Sequence, residues 1–164
     1  MPRDPTRSCF ACGEDNPIGL HLRFSYGDGS AEACFVPQPA HQGFPGLLHG
    51  GLVATLLDEA MAHAVIASVG PAVTGEIRVR LRGRGVRLGE PVRVRGWIVE
   101  RRGRLVQAEA EVVGADHTVL AQAEGKFMRV STLEGAPSLA VAGASAAEQA
   151  HDQVEQEREQ EAQQ

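Results

Sequence analysis

The chain has 164 residues, of which 43% are hydrophobic and only 4% aromatic, which suits one domain with a core of small aliphatic side chains. Its net charge of −5 argues against a nucleic-acid-binding surface, although arginines crowd between Arg78 and Arg104. No run reaches the roughly 18 apolar residues of a membrane span, and residues 1–7 lack the apolar segment of a signal peptide. Three cysteines are too few for a disulfide scaffold. A cytoplasmic location is therefore expected.

The first half of the chain predicts two strands followed by one long helix. A strand is expected to start near Gly19, where apolar and polar residues alternate, and residues 26–29 form a hairpin turn before a returning strand at 31–36. After a loop rich in Gly, Pro and His, residues 50–69 form an apolar run of helical length that ends at Gly70-Pro71.

The second half predicts four more strands, separated by turns that contain glycine. They cover residues 74–81, 91–100, 105–113 and 118–130. The order of two strands, one helix and four strands predicts an α+β fold, in which a curved antiparallel sheet of about six strands wraps around one long central helix.

Composition divides the chain into three parts. Residues 1–18 form an N-terminal cap with a Cys-x-x-Cys sequence, and residues 19–130 hold all the predicted strands and the helix. Residues 131–164 are rich in Ala, Gly and Ser and then in Glu and Gln, which predicts a disordered low-complexity tail.

The predicted helix is apolar around nearly its whole circumference, so it must be enclosed on most sides. Its apolar residues are Leu52, Val53, Leu56, Leu57, Ala60, Met61, Ala64 and Val65. One sheet encloses such a helix only in part, and some of its surface is therefore expected to be buried against a second copy of the chain.

The helix opens with His49-Gly50-Gly51, a candidate site for a developing negative charge. Glycines at a helix start leave backbone N–H groups unshielded at the positive end of the helix dipole, where they can hold a carbonyl oxygen as it becomes an oxyanion. The alternative is that the glycines only allow close packing where the loop enters the helix.

Asp58 is the most unusual residue of the helix because it is a carboxylate among leucines. Its ionised form is disfavoured there unless it is paired, which indicates either a functional group or a solvated or subunit-interface charge. Thr55, Glu59 and His63 are spaced four residues apart and could form an exposed stripe about 100° away from it.

The spacing of these two features predicts a dimer if both act on one substrate. Gly50 and Asp58 are eight residues apart, which is about 12 Å along a helix. One carbonyl carbon cannot contact both groups of the same helix, so they would have to come from two antiparallel helices at a two-fold interface.

Two stretches of the chain resemble the hotdog-fold acyl-CoA thioesterases, close to the phenylacetate-pathway, thioesterase-superfamily and 4-hydroxybenzoyl-CoA thioesterase types. The resemblance spans residues 9–130, and the matching motifs are the helix motif of residues 49–60 and the start of the next strand, Thr74-Gly75-Glu76-Ile77-Arg78-Val79. It implies a hotdog fold and a homodimer or homotetramer that acts on acyl-CoA.

The resemblance also implies roles for individual residues. Asp58 would be the general base or nucleophile, and Gly51 N–H would polarise the carbonyl across the interface. His49 would shape the helix entrance, and Thr74 would orient the carboxylate or the attacking water, unless it is an ordinary strand residue. Gly50 and Glu59 are placed on the substrate-binding side of the site without a catalytic role.

The chain departs from the family pattern after that strand, where Arg82-Gly83-Arg84-Gly85 replaces a common Arg-Pro pair. Arginines alternate with apolar residues up to this turn, which is typical of a solvated outer face. Alternatively, Arg82 and Arg84 bind the phosphates of coenzyme A.

Cys9 and Cys12 have the spacing of half a zinc site, but no second pair of ligands follows in the sequence. Only Cys34 and scattered histidines could complete a set. We therefore expect a structural cap, no metal site and no cofactor, coenzyme A being part of the substrate.

The sequence thus predicts a hydrolase that cleaves an acyl-CoA thioester. The alternative is a non-catalytic hotdog protein that binds acyl-CoA or another lipid, but this reading gives no reason for a carboxylate in an apolar helix. A hotdog hydratase resembles a different motif, with an Asp and a His close together. The acyl group and the choice between dimer and tetramer are not encoded in the motifs.

Overall fold

The computed structural model describes residues 5–131 of the chain. Six strands and one long helix make up this region, with two short 3-10 helices at Pro5–Ser8 and Pro39–His41. The elements follow in the order β1 (Ser25–Gly27), β2 (Ser30–Phe35), α1 (Gly50–Val69), β3 (Ala72–Leu81), β4 (Val92–Arg102), β5 (Leu105–Gly114) and β6 (Val119–Arg129).

All six strands lie in one antiparallel sheet with the order β1-β2-β4-β5-β6-β3. Helix α1 packs against the central strands of this sheet. The predicted α+β architecture of six strands around one long helix is confirmed, as are the bounds of the helix. Among residues 5–131, strands β1 and β3 form the two edges of the sheet, so one edge of β3 has no partner strand within this region.

The start of the first strand was predicted wrongly: β1 begins at Ser25 rather than near Gly19. Leu20 and Leu22 are buried, as their alternation with polar residues predicted. However, their N–H groups donate to the carbonyl oxygens of Phe10 and Ala11, at 2.8 and 2.9 Å, instead of joining the sheet. This segment therefore binds the N-terminal cap to the domain.

The core is aliphatic, as the composition predicted, with Phe127 as its largest fully buried side chain. Seven residues of α1 are buried, and each large one contributes about 1.5–3 kcal/mol by leaving water. Gly96 of β4 lets the sheet approach the helix closely, since a Cβ atom there would lie 2.4 Å from the backbone of Ala60. This approach fixes the part of the helix that carries Asp58 and Glu59.

Helix α1 is long and apolar enough to cross a membrane by length and composition alone, with 20 residues and a mean hydropathy of 1.5. The sequence predicted no span because no run reaches the roughly 18 consecutive apolar residues that a span needs. Its largest apolar side chains pack against the sheet, which is typical of the core helix of a globular domain.

The division into three parts at residues 18 and 130 stays a prediction. Residues 132–164, which make up nearly all of the tail predicted to be disordered, lie outside the described residues.

Candidate active site

His49 caps the N-terminus of α1 with its side chain. Its Nδ1 accepts a hydrogen bond from the backbone N–H of Gly51 at 2.9 Å, and its carbonyl oxygen accepts from Leu52 and Val53. The ring therefore satisfies one of the N–H groups that a helix start leaves without a partner. Because Nδ1 accepts, the proton of the neutral ring is on Nε2.

The N–H of Gly51, which was predicted to polarise a carbonyl, donates to His49 Nδ1 in this structure, and its catalytic role stays a prediction. For the N–H of Gly50, no residue within 5–131 provides an acceptor. Gly50 lies against Leu81 of β3, whose Cδ1 would be 3.2 Å from an added Cβ atom. At the positive end of α1, Gly50 N–H is thus a donor without an acceptor among the described residues.

Asp58 lies half-buried on α1 and is held by Thr74 of the edge strand β3. The Thr74 hydroxyl donates to Asp58 Oδ1 at 2.9 Å. The β3–β6 pairing shifts register between Thr74 and Glu76, and such bulges redirect side chains next to functional sites. The structure therefore brings together two predicted site residues that are sixteen positions apart.

Burial raises the pKa of Asp58 above its ordinary value. The hydrogen bond from Thr74 opposes this effect, because it stabilises the ionised form, and the nearby negative charge of Glu59 adds to it. The result is a carboxylate that is more basic than a solvated aspartate, a property suited to taking a proton from water.

Glu59 is in a different environment, beneath the N-terminal cap. His63 Nε2 lies 3.2 Å from Glu59 Oε1, and Cys9 Sγ lies 3.7 Å from the same oxygen. Burial alone would raise the pKa of Glu59, but hydrogen bonds from His63 and the cysteines outweigh it and the pKa is lowered. The acidic neighbour of Asp58 is therefore committed to the cap, and its predicted place on the substrate side stays untested.

The predicted exposed stripe of Thr55, Glu59 and His63 is only partly formed. Glu59 and His63 do pair, but their side chains are only 18% and 13% exposed. Thr55 does not join them, since its hydroxyl donates to the Gly51 carbonyl oxygen at 3.0 Å.

The two candidate phosphate-binding arginines lie in the turn after β3 and have partners within the chain. Arg84 donates to Asp116 and Thr118, both at 2.9 Å, and Arg82 donates to Gln122. Hydrogen bonds from Thr118 and from Arg84 lower the pKa of Asp116 to about 2. The turn follows Leu81, whose Cδ1 lies against Gly50, so the turn starts close to the helix entrance.

An antiparallel sheet of six strands packed on one long helix defines a hotdog fold. A family model described as the thioesterase superfamily matches residues 45–121, the part of the chain that contains the helix entrance, Asp58, Thr74 and the arginine turn. The chain therefore matches the hotdog thioesterase family that its sequence resembles.

Solved structures agree with this match. A thioesterase superfamily protein superposes with a TM-score of 0.70 at 27% identity, covering 74% of this chain and 60% of the other, so the chain spans less than two thirds of that protein. A mutant of the phenylacetic acid degradation protein PaaI from Thermus thermophilus gives 0.63 at 28% identity over 68% and 95% of the two chains. A conserved protein from Pseudomonas aeruginosa gives 0.62 at 29% identity over 68% and 90%. The comparison with curated protein sequences gave no significant match.

Sequence reasoning missed the contact between the cap and Glu59. The Cys-x-x-Cys spacing and the Glu59–His63 pair were both visible as local patterns. Their meeting was not, because Cys9 and Glu59 are fifty residues apart and nothing local connects them.

Proposed function

We propose that the chain is an acyl-CoA thioesterase in which Asp58 acts as general base or nucleophile. The observation that carries this proposal is the hydrogen bond from Thr74 of β3 to Asp58, a carboxylate in the otherwise apolar helix α1. Burial of a carboxylate destabilises the fold, and within residues 5–131 Asp58 has one hydrogen-bond partner, Thr74, so a carboxylate with a raised pKa at this position indicates a catalytic role.

In the general-base mechanism, the substrate carbonyl oxygen accepts a hydrogen bond from Gly50 N–H, which stabilises the oxyanion that forms. Asp58 takes a proton from water as the water oxygen attacks the carbonyl carbon. The C–S bond then breaks, the proton passes to the coenzyme A thiolate, and the acid is released. As a nucleophile, Asp58 would instead attack the carbonyl carbon and form a mixed anhydride as the C–S bond breaks and the coenzyme A thiolate leaves. Water would then hydrolyse the anhydride.

This arrangement needs two chains, because Gly50 and Asp58 of one helix are about 12 Å apart. A homodimer would place Gly50 of one protomer opposite Asp58 of its partner. The unpaired edge of β3 supports such an interface, since it carries Val73 and Leu81 with 40% and 57% of their surfaces exposed. Two such dimers could also form a tetramer.

The remaining parts of the proposal follow from surface chemistry. Arg82 and Arg84, in the turn that follows Leu81, would bind the phosphates of coenzyme A, and the reaction would need no cofactor. The three cysteines are unpaired thiols, which suits the reducing cytoplasm.

Hydrolysis of a panel of acyl-CoA esters tests this function. The panel runs from acetyl to palmitoyl with phenylacetyl and benzoyl esters, and released thiol is measured for wild type and Asp58→Asn. Asp28→Asn, which changes an exposed aspartate of the β1–β2 turn, is the matched control. We expect Asp58→Asn alone to lose activity while it stays folded and oligomeric.

Wild-type protein that hydrolyses no ester but binds acyl-CoA saturably would overturn the enzyme proposal. That result would favour a carrier of acyl-CoA with the same fold.

A further inference from the structure

Cys9, Cys12 and Glu59 meet in one half-buried cluster that the proposed hydrolysis does not use. The two sulfur atoms and one carboxylate oxygen all lie within 4.8 Å of one another. The cysteines come from the N-terminal cap, outside the residues that match the family model, whereas Glu59 comes from α1. The cluster therefore joins two parts of the chain that are far apart in sequence.

The donor atoms have nearly the spacing of ligands around one ion. Zinc binds thiolate sulfur at about 2.3 Å and carboxylate oxygen at about 2.0–2.2 Å, so tetrahedral ligand atoms are about 3.5–3.8 Å apart. Cys9 Sγ and Glu59 Oε1 are already 3.7 Å apart. Small side-chain movements would bring all three donors to coordination distance.

The backbone holds both cysteines in place before any ion arrives. The turn that carries them is closed by a hydrogen bond from Gly13 N–H to the Cys9 carbonyl oxygen at 2.9 Å. Gly13 is required there, since a Cβ atom would lie 2.4 Å from the Cys9 nitrogen. The bonds from Leu20 and Leu22 to Phe10 and Ala11 fix the residues between the cysteines.

His63 holds the same carboxylate oxygen of Glu59 that Cys9 approaches. Its Nε2 is 3.2 Å from Glu59 Oε1, while its Nδ1 is 2.8 Å from the Tyr26 hydroxyl and its ring stacks on Phe24 at 4.1 Å. Groups that orient a ligand in this way are typical of the outer shell of metal sites.

We propose that Cys9, Cys12 and Glu59 bind one thiophilic divalent cation, represented by Zn²⁺. Binding displaces the two thiol protons to solvent, so two thiolates and one carboxylate face the ion, and water takes the fourth position. The ion fixes the cap to the helix next to Asp58. This proposal replaces the absence of a metal expected from the sequence, and it does not depend on the thioesterase activity.

Cobalt titration tests the site, because Co²⁺ adopts zinc geometry and its bonds to thiolates absorb in the near ultraviolet. The full chain without a histidine tag is reduced with a phosphine and titrated with Co²⁺. We expect the thiolate-to-cobalt absorption to saturate at one ion per chain. Cys12→Ser should lose most of it, and Glu59→Gln should weaken cobalt affinity by about tenfold or more.

Cys34→Ser is the matched control, since Cys34 is exposed on β2 and outside the cluster. Its titration should equal that of wild type. Absence of the absorption in wild type, its persistence in Cys12→Ser, or its loss in Cys34→Ser would each overturn the proposal.

A second measurement uses only the wild-type chain, in case Cys12→Ser does not fold. Thiol modification by a disulfide reagent is followed with and without Zn²⁺. We expect Zn²⁺ to protect two thiols while Cys34 reacts at its original rate. If all three thiols reacted at the same rates with and without Zn²⁺, the result would contradict the site.

Discussion

Asp58 and Glu59 are neighbours in sequence, yet they are in opposite environments. Asp58 faces the edge strand, where Thr74 is its hydrogen-bond partner and burial raises its pKa. Glu59 faces the N-terminal cap, where His63 and the cysteines outweigh burial and lower its pKa. Successive helical residues are about 100° apart, so one helix can present one carboxylate to a reaction and the next to a structural cluster.

The largest expected effect is a difference in activity between variants of these two carboxylates. Asp58→Asn should lower kcat on the best acyl-CoA ester by about 10²–10⁴-fold, because the group that takes the proton is gone. Glu59→Gln, which removes the adjacent charge, should lower it by less than about tenfold. Both values come from initial rates of thiol release at neutral pH.

Size-exclusion chromatography of both variants serves as the control for assembly. Equal losses in Asp58→Asn and Glu59→Gln, with both still oligomeric, would show that the two carboxylates are not functionally distinct.

Removing the hydroxyl of Thr74 should sharpen the assignment of Asp58. Thr74→Val deletes the hydrogen bond that stabilises the ionised carboxylate, so the pKa of Asp58 rises further and the acidic limb of the kcat/KM profile moves to higher pH. At neutral pH we expect a loss of about tenfold. Thr74→Ser keeps the hydroxyl and should restore the limb; an unchanged limb in Thr74→Val would contradict the contact's role.

The same pair of carboxylates should change stability in opposite directions. Folding raises the pKa of Asp58, so the folded chain holds that proton more tightly, and the free energy of unfolding falls as pH rises between the unfolded and folded pKa values. At neutral pH, Asp58→Asn should therefore raise Tm.

Glu59 has the reverse sign, because its folded pKa is lowered. Its contribution is present above the unfolded pKa and is lost as pH falls through the folded pKa, so Glu59→Gln should lower Tm at neutral pH. We expect shifts of about 2–4 °C in scanning calorimetry with a chelator present. Shifts of the same sign for both variants would refute this contrast.

The smallest expected effect concerns the arginine turn. Arg84→Glu should raise KM about two- to fivefold for acyl-CoA esters, and less for a short thioester without the nucleotide, because exposed ion pairs are weak. Arg101→Glu, an exposed charge reversal on β4, is the control. Equal changes in KM for both substrates would show that Arg84 does not bind the nucleotide part of coenzyme A.

Local patterns in the sequence determined the order of the elements and the bounds of α1. The apolar run from Gly50 to Val69 has helical length and is followed by a glycine. In the later strands, apolar and polar residues alternate, and glycine-containing turns separate one strand from the next. The local pattern also singled out Asp58, since a carboxylate among leucines conflicts with its surroundings whatever the fold.

Tertiary structure alone decided the details of the site. Whether Gly50 or Gly51 keeps a free N–H depends on the side-chain conformation of His49, which no periodicity encodes. Likewise Leu20 and Leu22 alternate with polar residues as in a strand, but their N–H groups donate to carbonyl oxygens of the N-terminal cap instead of to the sheet. The meeting of Cys9 with Glu59 is a contact across fifty residues, and only the packed chain brings such distant groups together.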